Sequence, residues 1–140
     1  MQDIELLEAV IDDISARHSI DADRVYAVGV SIGSIFSYEI ACGHTSRFTA
    51  IASYAGTMRD ILGLVQYWRQ KYRCRNETET VSDSAAHFVY DDCDENAQVE
   101  HYRLENQDHN WPEDINGVST HEVIWSFLSN YAMPQHAKEL

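Results

Sequence analysis

Residues 24–43 read RVYAVGVSIGSIFSYEIACG, and within them a serine is flanked by glycines two positions away on either side. The apolar run 25–30 precedes this Gly-Val-Ser-Ile-Gly string, and a helical pattern over 32–42 follows it. A strand–turn–helix of this kind holds its serine at a sharp turn with the hydroxyl raised above the sheet edge. The backbone is crowded there, so Gly29 and Gly33 are expected to supply clearance. The amide of Ile32, opening the helix, could donate to a developing oxyanion. The chemistry implied is nucleophilic acyl transfer by Ser31. Its plain alternative is a glycine-rich turn with an idle serine, and the flanking elements are what raise the signal above the bare string.

A serine nucleophile needs a base. His109 lies in ENQDHNWP, a loop directly after the last strand-like run. In a parallel sheet that position falls on the same edge as a serine at a strand's C-terminal end. His18 closes a helical run, His44 lies in a turn, His101 sits within a strand, His121 falls in the first turn of a helix and His136 in the tail. Each of these reads as structural or surface. For the acid that would orient the base, Asp60 is the candidate, just past the second strand. Asp108 is the rival, although a side chain adjacent in sequence to His109 points away from it.

The elements that must position these residues follow from hydrophobic periodicity. Residues 3–18 form a helix with Leu7, Val10, Ile11 and Ile14 on one face and Glu8, Asp12 and Asp13 opposite. Continuous apolar runs at 25–30 and 48–56 read as strands covered on both faces. The first helix after Ser31 stops at Gly43. Residues 59–72 form a helix with Ile61, Leu64, Val65 and Trp68 in line. The stretch RCRNETETVSDSA is polar and reads as a loop. Runs at 87–90 and 99–105 pair as a hairpin. Ser119 to Glu122 fits a capping box opening a last helix, which carries Val123, Ile124, Phe127, Leu128 and Tyr131 and ends before Pro134. The expected class is α/β, as a single domain over 1–140.

With 140 residues and a formal net charge of −13, nucleic acid is excluded as a partner, because phosphate contacts need clustered Lys and Arg. No apolar stretch approaches a membrane span, and Met-Gln-Asp-Ile-Glu at the start carries carboxylates where a secretory leader carries cations. Cys42, Cys74 and Cys93 have no C-x-x-C spacing, so no metal site is expected, and no cofactor.

Three segments together resemble the polyhydroxybutyrate depolymerase and feruloyl esterase group of α/β-hydrolases. These are DDISARHSIDADRVYAVGVSIGSIFSYEIACGHTSRFTAIASYAGT, YWRQKYRC and YDDCDENAQVEHYRLENQDHNWPEDINGVSTHEVIWSFLSNY. They carry the D-x-x-R-V-Y strand, G-x-S-x-G, the "AG" strand end, the Y-x-x-C and the H-x-W-P of that family, across residues 3 to 131. The resemblance implies Ser31 as nucleophile, His109 as general base, the Ile32 amide as one oxyanion donor and a disulfide between Cys74 and Cys93. It implies an extracellular setting and substrates that are small esters or polyesters of hydroxyalkanoates, cinnamic acids or acetylated sugars. Asn76-Glu77-Thr78 also fits an N-glycosylation sequon.

Two family features have no counterpart. The first strands with their "LHG" oxyanion loop do not precede residue 1, and the "GTxD" strand bearing the acid is skipped between Gly56 and the tryptophan helix. A partial sheet of three or four strands is therefore expected, mostly parallel with a C-terminal hairpin, under about four helices. Loss of the acid costs serine proteases about 10⁴ in turnover, so weak hydrolysis is expected, with a silent interaction protein as the alternative. Strand 25–30 would also keep an unpaired apolar edge that invites self-association.

Overall fold

The structure is a computed structural model and describes residues 2–44, 46–55 and 61–133. In chain order these form α1 (Gln2–Arg17), β1 (Tyr26–Val30), α2 (Ile32–Glu39), β2 (Ala50–Tyr54), α3 (Ile61–Lys71), β3 (Asn76–Val81), β4 (Ala85–Asp91), β5 (Val99–Leu104), β6 (Asp114–Ile115), β7 (Val118–Ser119) and α4 (Thr120–Leu128). The mixture of helices with parallel and antiparallel strands is compatible with the α/β class. The chain divides into two compact units, residues 1–56 with 121–140, and residues 57–120.

In the first unit β1 and β2 pair in parallel, Tyr26 opposite Ala50 and Val30 opposite Tyr54. Backbone bonds from Thr49 N to Val25 O (2.8 Å) and Ser31 N to Tyr54 O (2.9 Å) extend the ladder at both ends. Helix α2 lies on the Gly29 side of this pair. The last segment of the chain returns to the start of β1: the Tyr26 hydroxyl donates to Tyr131 O at 2.7 Å, Met133 N donates to Asp23 O at 2.8 Å, and Trp125 meets the Tyr26 ring edge-on. Leu128 of α4 is buried.

Two expectations for this unit are corrected. Val28 is 51% and Val30 38% exposed, so β1 is not covered on both faces. An apolar run signals that a strand tolerates burial and does not supply the layer that would bury it. On α1 the inward face is Ile4, Leu7, Glu8 and Ile11, a spacing of three, four and seven, whereas Val10 and Ile14 are exposed. In this orientation Arg47 donates to Glu8 O at 3.3 Å and pairs with Asp12 at 2.6 Å.

The second unit centres on β4, which pairs antiparallel with β3 on one side and β5 on the other. Here the polarity of NETETV misled: the stretch 76–81 is a strand, not a loop. Its alternating threonines favour extended backbone, and as an edge strand with every residue exposed it needs no apolar face. In place of one partial sheet of three or four mostly parallel strands, the described residues form separate sheets of two, three and two strands, with β1 and β2 the sole parallel pair. Asn116 and Gly117, at φ 55° and 78°, turn β6 into β7. Such an Asn-Gly pair is favoured because both central positions of this tight turn need positive φ. The Asn116 side chain accepts from the Ser82 and Ser84 hydroxyls, tying the turn to the β3–β4 connection.

Cys74 and Cys93 form a disulfide across 19 residues, joining the start of β3 to the β4–β5 connection. Arg73 and Arg75 pair with Asp94 around it, and hydrogen bonds from Arg75 and then Arg73 hold the Asp94 carboxyl below its ordinary range. Both arginines are exposed, so these pairs contribute little, and the covalent link dominates. Reducing it, or replacing both cysteines with serine, is expected to lower the unfolding free energy by about 3 kcal/mol. Denaturant titration checks this; an unchanged midpoint would mean that the ion pairs alone hold the connection.

Candidate active site

Ser31 has φ 56° and ψ −117°. This is a left-handed, sparsely populated conformation for a residue with a side chain, and costs about 1–3 kcal/mol. The surroundings account for it. A Cβ added to Gly29 would lie 2.1 Å from Gly33 O and 2.6 Å from Ser37 Oγ, so β1 and α2 approach as closely as a backbone without a side chain permits. Helix α2 makes the approach possible by burying only small residues, Ser34 and Ser37, and Ser37 Oγ satisfies itself by donating to Gly33 O at 2.9 Å. With strand and helix this close, no room is left for a gradual turn and one residue must reverse the chain. At Gly33 a Cβ would meet no described atom within 4 Å. Clearance is thus needed at Gly29 and not, as expected, at Gly33, because Gly33 lies on the exposed side of the first helical turn.

The Ser31 carbonyl already accepts from Ser34 N (3.0 Å) and Ile35 N (3.2 Å), which makes Ser31 the residue capping α2. Its hydroxyl makes no capping bond to that helix, although serine at this position ordinarily does so from extended backbone. The positive φ turns the side chain away from the helix amides. The Ile32 amide is the first of α2 and belongs to the set with no acceptor inside the helix. The Ile32 side chain is 80% exposed. A serine hydroxyl and an unreciprocated N–H therefore stand together at the C-terminal end of β1.

That end of the sheet has a second irregularity. Ala55, directly after β2, also has positive φ, at 50°. Both parallel strands thus finish in a left-handed residue that is not glycine. Behind the serine, burial pushes the Tyr38 phenol above its ordinary pKa, with the Ser53 hydroxyl opposing the shift.

His109 lies in an exposed bend five residues beyond the end of β5, within 105–110, where Gln107 donates to Asn110 O at 3.3 Å and Asn106 has φ 54°. Asp108 precedes it and is exposed too. His109 belongs to the unit 57–120 and Ser31 to the other. Asp60 lies outside the described residues. Among the described residues no group of three His, Cys, Asp or Glu side chains stands close enough to hold a metal ion, and no helix is long and apolar enough to cross a membrane.

One side-chain cluster escapes the sequence pattern. His87 Nε2 and Glu100 Oε2 are 2.8 Å apart, and the ring of His87 stacks on that of Tyr102. The two strand-like runs hint at a hairpin, but the pairing of 87 with 102 is a matter of register, which neither run specifies alone.

Known proteins similar to part of this chain include "Putative esterase NocK" of Nocardia uniformis subsp. tsuyamanensis, 34% identical over 56 residues. The match covers 40% of this chain and 16% of that protein. "Probable feruloyl esterase C" of Aspergillus terreus is 34% identical over 55 residues, covering 39% of this chain and 20% of its own length. The match therefore spans a fifth or less of either relative. No protein-family model and no solved structure matches the chain. The likeness is to esterase-type hydrolases, over part of the sequence.

Two substitution pairs test the geometry of the turn by thermal melts. Ser31→Gly and Ser31→Ala both delete the hydroxyl, but only glycine relieves the positive φ. Ser31→Gly is expected to be the more stable by about 1–2 kcal/mol, after the greater freedom of the unfolded glycine chain is subtracted. Equal melting temperatures would show an unstrained turn. Gly29→Ala is expected to cost about 3 kcal/mol through overpacking, whereas Gly33→Ala stabilises by up to about 1 kcal/mol as an exposed helical site. Similar losses at both would contradict the asymmetry of clearance.

Proposed function

We propose that this chain is a serine-dependent carboxylic-ester hydrolase of the α/β-hydrolase type, with Ser31 as nucleophile and His109 as general base. The observation that carries the reading is the backbone of Ser31. A strained serine between strand and helix, beside an N–H without a helical acceptor, is costly for folding and has a purpose in acyl transfer. The partial likeness to two esterases supports the same chemistry.

In this mechanism the imidazole of His109 takes the proton from Ser31 Oγ as the oxygen attacks the ester carbonyl. The Ile32 amide stabilises the oxyanion, aided by the positive end of α2. The imidazolium then protonates the departing alcohol, and a water activated by the same base releases the acid. Asp60 is the proposed partner for the second ring nitrogen. The substrates proposed are small esters or polyesters, of the hydroxyalkanoate, cinnamic or acetyl-sugar kind.

A fluorophosphonate probe should form one covalent adduct, mapped by peptide mass to Ser31 and absent from Ser31→Ala. Replacing His109 with alanine should slow labelling by roughly 10²-fold, the scale of general-base assistance. Labelling of the wild-type chain no faster than that of Ser31→Ala would leave the turn without catalytic purpose and overturn the proposal.

A further inference from the structure

The sheet of the second unit has two unlike faces. Arg69 of α3 stacks over Tyr90 at 4.1 Å and pairs with Glu77 at 2.9 Å, so that helix accounts for one face. The alternation of antiparallel strands puts His87 on the other, with Tyr102 directly opposite and Thr80 across on β3. The His87 and Tyr102 rings are 3.9 Å apart and 8° from parallel. Glu100, diagonal to His87, reaches back along β5 to Nε2 at 2.8 Å, and its other oxygen accepts from Gln98 Nε2 at 2.9 Å.

This arrangement selects a tautomer. A carboxylate has only acceptors, so in the neutral ring Nε2 carries the proton and Nδ1 the lone pair. Nδ1 bonds to none of the described residues. The His87 and Glu100 side chains keep 26% and 19% of their exposure, shielded enough to strengthen the bond yet open to a small molecule. Burial, and then the Glu100 charge, push the Tyr102 phenol up to about 12, so it adds no second negative charge. From β3, Asn76, Thr78 and Thr80 fall on this face by register, none of them charged.

We propose that His87, oriented by Glu100 on the half-buried face of β4 and β5, is a second, serine-independent nucleophile that accepts acyl groups from activated aryl esters. Nδ1 attacks the ester carbonyl carbon, the bond to the aryl oxygen breaks, and the phenolate leaves with the electron pair. The acyl-imidazolium passes its Nε2 proton to Glu100. Water then attacks the acyl carbon, the bond from that carbon to Nδ1 breaks with its electron pair returning to Nδ1, and the carboxylic acid departs; Glu100 returns the proton to Nε2, and the second proton of the water passes through solvent to the phenolate. The sum is ester plus water to acid plus phenol. Alkyl esters are excluded, because an alkoxide is a poorer leaving group than imidazole and the adduct reverts. His87 is the catalytic residue and Glu100 a positioning residue. The site stands whether or not Ser31 is a nucleophile.

The test uses the full chain carrying Ser31→Ala, with p-nitrophenyl acetate. That protein is expected to keep steady turnover. Adding His87→Phe, which preserves the stack on Tyr102 and suits a strand, is expected to remove most of it, while His18→Phe leaves it unchanged. Adding Glu100→Gln, which still accepts from Nε2, is expected to move the midpoint of the pH–rate profile downwards, a change that a structural role would not produce. Equal turnover with and without His87→Phe overturns the proposal. A measurement on the unmutated chain guards against misfolded variants: diethylpyrocarbonate should carbethoxylate His87 faster than His101, and no adduct on the His87 peptide also overturns it.

Discussion

The contact between Gly29 and the carbonyl of Gly33 is the constraint from which the first unit follows. Because nothing separates β1 from α2 there, the helix buries small side chains where it meets β1, and Ser34 and Ser37 occupy that position. The connection shrinks to one residue, and that residue takes φ 56°. A bulkier helix face would hold α2 further away and let the chain turn through several relaxed residues. The nucleophile candidate is therefore shaped by packing beneath it, not by its own preferences.

The second unit solves a different problem, stabilising a small sheet with few apolar residues. Ala85, Ala86 and Tyr90 of β4 are its buried members. Such a core is modest, and the unit adds a disulfide, cross-strand rings and the Asn116 tether to compensate. An edge strand of alternating Glu and Thr offers a partner chain charge rather than an apolar surface, which discourages edge pairing.

Legibility varied with the range of the interaction. The strand before Ser31 and the helix after it could be read from local pattern, whereas α2 closes at Glu39, short of the stop expected at Gly43, which takes φ 96° within a following π turn over Ile40–His44. The hairpin strands at 87–90 and 99–105 were legible from their apolar runs. The strand at 76–81 was not, because an edge strand without a covered face carries no hydrophobic alternation. The rotation of α1 was hidden for a related reason. Its sequence offers two overlapping apolar stripes, and the packing of the helix against residues far along the chain, Arg47 among them, accompanies the choice of one.

By itself the sequence determined the types of residue at the turn: a serine with glycine two positions before and after, between a strand and a helix. These are local choices, set by propensity and by steric demands within a few residues. Tertiary structure alone decided which glycine is indispensable, since only the distance from β1 to α2 distinguishes Gly29 from Gly33. It also decided that His87 meets Glu100, because strand register is settled by the pairing of whole strands and no single strand contains that information.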